Sequence, residues 1–524
     1  MGFLSICGGT VIDGTGAGAY RGDLLVEGDR IRSIRRADDS TPFPDDCIKI
    51  DASGCLVTPG FIDSHSHSDA YLVIEPCAPS KISQGVTTEI NGQCGGSAAP
   101  RYGEARLSSD WAAILGERLV WRSMAQYRQT LESAGIAINT VQFAGHNTIR
   151  ASVVGYAGRA ATKDETERMR RLLDEALDAG ASGLTTGLIY QPGKYATDEE
   201  VAVLARAAAA KGGIYATHMR SEGDMLLEAI DEVAELARRT GIRAEISHLK
   251  TSGRKNWPKI DAALEKIESG MAEGLFLGSD RYPYCAAGTD LDVVFPDWAG
   301  EGGTVAEIRR LADPSVRRRI EDEINASGRD WSEVMIGGAW SALTKRFCGR
   351  TVEDAAAELG LGVGETVCQI LEADGCKTGA FFFSMDEGNL DKILSRDWVV
   401  PGSDASLRSP EGPLGADHPH PRAYGTMPEF YKRLRKLGVA REAAVARMTS
   451  APAKRFGIRS RGVVKTGAFA DLAIWDESVF SCEAAYAAPH RFASGMHHVI
   501  VNGRVVFAEG KPTGEKPGRF LETR

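Results

Sequence analysis

The chain has 524 residues and a net charge of −9, with 43% hydrophobic and 25% charged residues. This acidic, globular composition argues against nucleic acid or an anionic membrane as a partner, and against disorder. The ten cysteines show no paired spacing, which favours reduced thiols over a disulfide framework. No signal peptide and no apolar run of about 18 residues are recognisable, so we expect a cytoplasmic protein.

Both ends of the chain predict β-structure. Residues 1–57 alternate short strand-like runs with turn residues, as in a β-meander, and residues 457–524 repeat this pattern. In the second region, Asn502-Gly503 stands between two apolar runs and predicts a tight hairpin. Neither end has enough strands to be stable by itself. We therefore predict one small β-sandwich domain built from both ends of the chain.

Residues 58–456 alternate strand-like and helical segments. Eight strands are predicted, at 61–62, 87–90, 139–143, 182–186, 214–217, 244–247, 275–278 and 398–400. The clearest helix begins at Thr162, where Glu165 completes a capping box. This order predicts an α/β fold with a parallel (β/α)8 TIM-like barrel, and a doubly wound open sheet is the alternative. The segment at about 286–340 is out of rhythm and predicts an insertion before the last barrel strand.

Polar side chains suited to metal binding follow five of the predicted strands. They are His65 and His67, Cys94, His218, His248 and Asp404. Because the catalytic groups of a parallel barrel lie where its strands end, we expect these side chains to converge. Histidine, cysteine and aspartate are zinc ligands, and six candidates exceed the four that one zinc uses, which favours two metal positions.

Each of these residues also has a purely structural interpretation. Cys94 could fill a gap in the core, the histidines could be hydrogen-bonded core residues, and Asp404 could cap a turn. The functional interpretation is favoured because all of them occur together at strand ends.

Several runs of sequence resemble a known family. Residues 60–67 resemble the opening motif of the amidohydrolase superfamily. Further runs resemble the N-acyl-D-amino-acid deacylases, or D-aminoacylases, and they are residues 85–88, 94–95, 181–190, 216–222, 246–250, 282–284, 402–404 and 420–426. The resemblance covers nearly the whole chain. Two departures are Gln93 before Cys94, where the family more often has asparagine, and a loop at 406–418 that is longer than in the shortest members.

The resemblance implies a metal site and a substrate site. It implies a tightly held zinc on Cys94, His218 and His248, and a second, weaker position around His65, His67 and Asp404. It also implies that the substrate is a small N-acyl amino acid. It implies that Arg422 binds the carboxylate of this substrate, with help from Tyr282, Lys250 and Tyr190. A planar guanidinium matches a carboxylate with two parallel hydrogen bonds, which agrees with this role for Arg422.

We therefore predict zinc-dependent hydrolysis of the amide bond of N-acyl-D-amino acids, giving a carboxylate and a free D-amino acid. Asp404 is predicted to act as general base and then as general acid. The preference for the D form comes from the resemblance alone. The preferred amino-acid side chain, the acyl group and the oligomeric state stay open.

Three alternatives were weighed. A cyclic-amide hydrolase of the dihydroorotase or hydantoinase kind usually carries a carbamylated lysine after the fourth strand, where this chain has Thr185-Thr186-Gly187-Leu188. A D-dipeptidase of the same superfamily is a second alternative. A binding protein on a degenerate barrel is disfavoured by the intact set of candidate ligands.

Overall fold

Strands from both ends of the chain share one sheet in the computed structural model, which describes residues 3–36, 43–44, 47–107 and 114–523. Within these residues the sheet has nine strands: Phe3–Val11, Tyr20–Glu27, Arg30–Arg36, Ile48–Asp51, Leu56–Pro59, Leu472–Trp475, Met496–Val501, Arg504–Ala508 and Lys511–Pro512. The two halves join where Leu56–Pro59 runs antiparallel to Leu472–Trp475. Their apolar side chains, such as Ile6 and Ile474, are buried in one common cluster.

The predicted hairpin at Asn502-Gly503 is confirmed. Val501 pairs with Arg504, and Asn502 and Gly503 have φ angles of 46° and 76°. Two consecutive positive φ angles are the conformation that the Asn-Gly pair favours in a two-residue hairpin.

The middle of the chain contains eight parallel core strands. They are Phe61–Asp63, Val86–Asn91, Asn139–Gln142 continued by Ala144–Gly145, Gly183–Gly187, Ile214–His218, Arg243–Ile246, Leu277–Arg281 and Val399–Pro401. Each of the eight predicted strands overlaps one of them, and the predicted α/β class is confirmed. Core strands that are neighbours in sequence are neighbours in space, and their backbone pairings are parallel.

The last core strand lies beside the first. The Ser64 N–H donates to the Pro401 carbonyl over 3.0 Å, and the Asp404 N–H donates to the His65 carbonyl over 2.8 Å. A doubly wound open sheet would place its terminal strands at separate edges. The observed contacts bring the first and last strand ends, with their polar side chains, to one place.

Helices cover the core strands. The main ones are Met124–Ala134, His146–Val153, Lys163–Asp178, Asp198–Ala210, Leu226–Thr240, Ile260–Ala272, Glu387–Leu394, Arg422–Lys436 and Arg441–Met448, with short helices at Tyr71–Ile74, Pro79–Ile82 and Ser450–Arg455. The predicted capping box is present, since Thr162 and Glu165 bond each other's backbone N–H. In the described part of the chain, no helix has the length and apolarity needed to span a bilayer.

A separate unit lies between the seventh and eighth core strands. Its strands Ala287–Asp290, Gly379–Phe382 and Val334–Ile336 form an antiparallel sheet, with Gly379–Phe382 in the middle. Its helices are Asp297–Gly300, Thr304–Leu311, Pro314–Ala326, Ala342–Lys345, Val352–Leu359 and Val363–Ala373. The unit has a hydrophobic cluster of its own. The predicted end of the insertion, at about residue 340, is therefore too early. The central strand of the unit, Gly379–Phe382, is the last of its three strands along the chain.

Candidate active site

The six predicted metal ligands converge at one end of the core strands. They form two groups, and in each group the potential ligand atoms lie within 4.8 Å of one another. One group is His65, His67, Cys94 and Asp404, and the other is Cys94, His218 and His248. Cys94 joins the two, with its Sγ 3.3 Å from Nε2 of both His65 and His248. The arrangement offers two adjacent positions with a shared thiolate.

Three of these residues stand in unusual backbone conformations. Cys94, His248 and Asp404 have φ angles of 52°, 37° and 49°. Such left-handed conformations cost about 1–3 kcal/mol for residues other than glycine and persist where the surroundings hold them. Each one lies two or three residues past the end of a core strand, where its side chain belongs to the ligand groups.

His218 carries a further sign of a metal site. Its side chain is buried, and neither ring nitrogen has a hydrogen-bond partner among the described residues, although Nε2 lies 3.4 Å from a carboxylate oxygen of Glu222. Buried polar atoms without a partner are rare in proteins. A neutral imidazole nitrogen beside a thiolate is a donor set that suits zinc. The residues present therefore fit this metal.

The charges of the site also suit a cation. Burial by itself raises the pKa of the Cys94 thiol, but His65 and then His248 outweigh it and lower that pKa well below its ordinary value. Burial likewise raises the pKa of Asp404, and the charges of Arg422 and His248 lower it well below its usual range. Asp404 is therefore ionised at neutral pH, and the lowered pKa of Cys94 favours its thiolate, the form in which each group binds metals.

Two carboxylates that sequence reasoning overlooks orient the histidines. Asp280 has Oδ2 3.1 Å from Nδ1 of His65, and its Oδ1 accepts the backbone N–H of His248 over 3.0 Å. Glu222 has Oε1 2.9 Å from Nδ1 of His248. Carboxylates in this position fix the ring orientation of ligating histidines. Asp280 is missed because the seventh strand is predicted at 275–278, whereas it runs through Arg281; Glu222 lies in a resembling run without an assigned role.

The predicted carboxylate-binding residues lie beside the metal groups. Arg422 has Nη1 2.8 Å from Oδ2 of Asp404, donates from Nη2 to the Gly288 carbonyl, and lies 4.6 Å above the ring of Tyr282. The Tyr282 hydroxyl and Nε of Arg422 are buried without a hydrogen-bond partner in the described structure. Burial raises the pKa of Tyr282, but the charges of Lys250, Arg281 and Arg422 lower it overall. The Tyr282 hydroxyl and Arg422 Nε are thus hydrogen-bond donors without an acceptor in a positively charged environment, which suits the binding of an anion.

Lys250 and Tyr190 complete this surrounding. Lys250 ion-pairs with Glu222 and has Nζ 2.7 Å from Nδ1 of His248, so it is linked to the second ligand group. The ring of Tyr190 packs edge to face on His218, with the centroids 4.8 Å apart. The structure therefore brings all four predicted substrate-binding residues to the metal groups.

Comparison with known proteins agrees with this geometry. A family model described as the amidohydrolase family matches residues 49–275 and 389–507. The chain is 35% identical to a D-aminoacylase from Alcaligenes xylosoxydans xylosoxydans, over 99% of this chain and 97% of that relative. The chain therefore belongs to the amidohydrolase family, and within it to the branch of the N-acyl-D-amino-acid deacylases.

Two solved structures are similar over nearly the whole chain. One is a D-aminoacylase described as having a binuclear metal centre with one-metal activation and second-metal attenuation, with a TM-score of 0.83, 34% identity and 99% of each chain covered. The other is an N-acyl-D-glutamate deacylase from Bordetella bronchiseptica in complex with zinc and a phosphonate mimic of the tetrahedral intermediate. For it the TM-score is 0.84 and the identity 31%, again with 99% of each chain covered.

Proposed function

We propose that this protein is a zinc-dependent deacylase that hydrolyses N-acyl-D-amino acids to a carboxylate and a free D-amino acid. The observation that carries the proposal is the pair of ligand groups sharing Cys94, with Arg422 held against Asp404 beside them. The similarity to a D-aminoacylase and to a deacylase bound to zinc and a phosphonate supports the same chemistry.

We assign the tightly held zinc to Cys94, His218 and His248. The second, weaker position is assigned to His65, His67 and Asp404, next to the same thiolate. Bound zinc polarises an acyl carbonyl and lowers the pKa of water toward about 7. The unpaired ring nitrogens of His218 support the first assignment, and the approach of His67 Nε2 to Asp404 Oδ1, 3.0 Å, supports the second.

Asp404 is the proposed general base. Its carboxylate is ionised and lies inside the first ligand group, because Oδ1 is 3.4 Å from Nε2 of His65 and 3.0 Å from Nε2 of His67. There it takes a proton from the attacking water and later delivers it to the leaving amine nitrogen.

Arg422 is the proposed clamp for the α-carboxylate of the substrate. Its guanidinium pairs with a carboxylate, that of Asp404, and its Nε has no partner within the described residues. Tyr282, Lys250 and Tyr190 lie near enough to help. With the carboxylate and the scissile carbonyl both held, the two enantiomers differ in the positions of the hydrogen and the side chain on the α-carbon, so a third contact, made with the side chain, sets the handedness. The D preference rests on the deacylase relatives.

The architecture is part of the proposal. We infer that the eight core strands form a (β/α)8 barrel over residues 58–456, and that residues 1–57 and 457–524 form one small β-sandwich domain. The contacts between the first and last core strands support a closed barrel, and the shared cluster of apolar side chains supports the joint domain. The insertion starts at about 286 and includes the strand Gly379–Phe382.

A cyclic-amide hydrolase is disfavoured by a steric observation. The fourth core strand ends at Gly187, and a Cβ there would lie 2.1 Å from the carbonyl oxygen of Cys94. A lysine at this strand end would collide with the backbone of the shared metal ligand. This steric argument does not apply to a D-dipeptidase, which is the second candidate function. A D-dipeptide also presents a carboxylate and an acylated nitrogen.

A substrate panel tests the proposal. We would assay the zinc-loaded protein with N-acetyl and N-formyl derivatives of D- and L-amino acids, with D-dipeptides and with cyclic amides. The expected result is release of free amine from N-acyl-D-amino acids, abolished in the chelator-treated protein. Release from D-dipeptides alone, or ring opening of cyclic amides alone, would overturn the proposal.

A further inference from the structure

A fully buried lysine lies beside the turn that carries Asp404. Lys81, in the short helix Pro79–Ile82, has no exposed surface, and its Nζ lies 2.8 Å from Asp63 Oδ2 and 2.8 Å from Glu89 Oε1. Both carboxylates are buried as well. Lysine is almost never fully buried unless it is paired, and a buried ion pair is weak evidence of a contribution to stability. A contribution to stability therefore does not by itself explain why Lys81, Asp63 and Glu89 are buried together.

The first set of contacts runs from Lys81 to the residues on either side of Asp404. Its Nζ donates to Ser403 Oγ over 3.0 Å and to the Ala405 carbonyl over 2.9 Å. Asp63, the carboxylate partner of Lys81, accepts the Ser403 N–H over 2.8 Å. The ammonium group thus holds both neighbours of a residue whose φ is 49°. A strained backbone persists only where its surroundings hold it in this way.

The second set of contacts runs to the histidine pair. Glu89 Oε1 accepts from the hydroxyls of Ser66 and Ser68, each over 2.9 Å. The Ser66 hydroxyl also lies 3.0 Å from the Ala405 carbonyl. Ser66 stands between His65 and His67, so one connected network joins the end of the first core strand to the turn after the last one.

The other ligand group is supported differently. His248 contacts Glu222 and Lys250, and His218 lies beside Glu222. None of the described contacts of Lys81 reaches Cys94, His218 or His248. Cys94 and Asp280 contact both groups, and the remaining neighbours of the two metal positions are separate.

We propose that Lys81 is a positioning residue that holds Asp404 and the His65–His67 pair in place for catalysis and for the weaker metal position. The assignment of these roles rests on the proposed function. Loss of Lys81 should loosen the weaker position and the general base, and leave the zinc of the Cys94 group bound. If Lys81 only stabilised the fold, its replacement would not lower the zinc affinity of one position more than that of the other.

The test compares three variants of the full-length protein. Lys81→Met removes the charge with a similar side-chain length, and Ser403→Ala removes one Lys81 contact with less disturbance. Arg150→Met is the control, because Arg150 forms another buried ion pair, with Nε 2.9 Å from Glu200 Oε1. For each we would measure zinc bound per chain during titration of the metal-free protein, the melting temperature, kcat and KM.

For Lys81→Met we expect losses of about 10–100-fold in kcat and in affinity for the second zinc, the range typical of residues that orient metal ligands. The first zinc and KM should stay near the wild-type values, and Ser403→Ala should show a weaker form of the same pattern. Arg150→Met should lower the melting temperature and leave kcat and both zinc affinities unchanged.

The inference is overturned if Lys81→Met loses thermal stability but retains kcat and its second zinc. If Lys81→Met does not fold, Ser403→Ala decides, and wild-type kcat and zinc affinities in that variant overturn the inference. The metal titration needs no substrate. Absence of deacylase activity in the wild type would thus refute the proposed function, while separate loss of the second zinc in Lys81→Met would still support the positioning role.

Discussion

Replacement of Asp404 by asparagine gives the most direct test of the proposed chemistry. Asparagine has nearly the shape of aspartate and tolerates positive φ, so the turn at φ 49° should be retained. Its amide can still hydrogen-bond His67 or Arg422, but it cannot accept a proton. General-base catalysis contributes about 10²–10⁴-fold, so we expect kcat to fall by that factor, equivalent to about 3–5 kcal/mol of barrier.

Unlike kcat, substrate binding should not be weakened by the Asp404→Asn replacement. In the wild type Asp404 Oδ2 lies 2.8 Å from Arg422 Nη1 and competes there with the carboxylate of the substrate. Removing its charge frees Arg422 for that carboxylate. KM for N-acyl-D-amino acids should therefore stay level or fall, while kcat drops.

The assay is steady-state release of free amine by zinc-loaded protein, with the zinc content of each sample measured in parallel. Asp374→Asn is a matched control, since Asp374 is a buried aspartate that accepts hydrogen bonds from Ser341 and Thr344 within the insertion. This control should lose stability and keep kcat. A kcat for Asp404→Asn close to that of the wild type, with the Cys94 group loaded, would refute the role of Asp404 as the base.

Three further predictions concern the metal, the substrate clamp and the insertion. Cys94→Ala should lose zinc first, because its Sγ belongs to both ligand groups; full zinc content in this variant would end the ligand assignment. Arg422→Lys should raise KM more for N-acyl amino acids than for analogues whose carboxylate is an amide, because lysine keeps the charge but not the planar fork; an equal effect on both would contradict the clamp. Glu307→Gln should flatten the pH dependence of stability. Burial raises the pKa values of Asp292 and Glu307, so this pair holds more protons in the folded protein than in the unfolded chain, and its contribution to stability falls as pH rises from about 4 to about 8. Melting temperatures measured from acidic to alkaline pH test this, and an unchanged slope in the variant would exclude the pair as its source.

Local features of the fold were predictable because they depend on neighbouring residues. The hairpin at Asn502-Gly503 and the capping box at Thr162 each need only a few consecutive side chains. The core strands were found for the same reason, with errors of a few residues at their ends. Asp280 was overlooked for this reason. The seventh strand was predicted to end at Gly278, whereas it continues to Arg281, so Asp280 was not among the candidate residues at strand ends.

The insertion shows where local reasoning ends. Its central strand, Gly379–Phe382, pairs with Ala287–Asp290 across about ninety intervening residues, and this distance hides the pairing from the sequence pattern. The same limit applies to the small sheet, whose predicted halves were recognisable but whose register, Val57 opposite Ile474, was not.

The sequence by itself determined the chemistry of the site, because the kinds of side chain at strand ends and their order along the chain can be seen without coordinates. Six residues of metal-binding types after five strands already predict a metal centre, whatever the details of packing. Only the tertiary structure decided how the centre is held. Lys81 stands in a short polar run that resembles an ordinary surface turn, and Glu222 and Asp280 have no local signal of their roles. Some of their partners lie more than three hundred residues away, and the contacts between the first and last core strands bring them together.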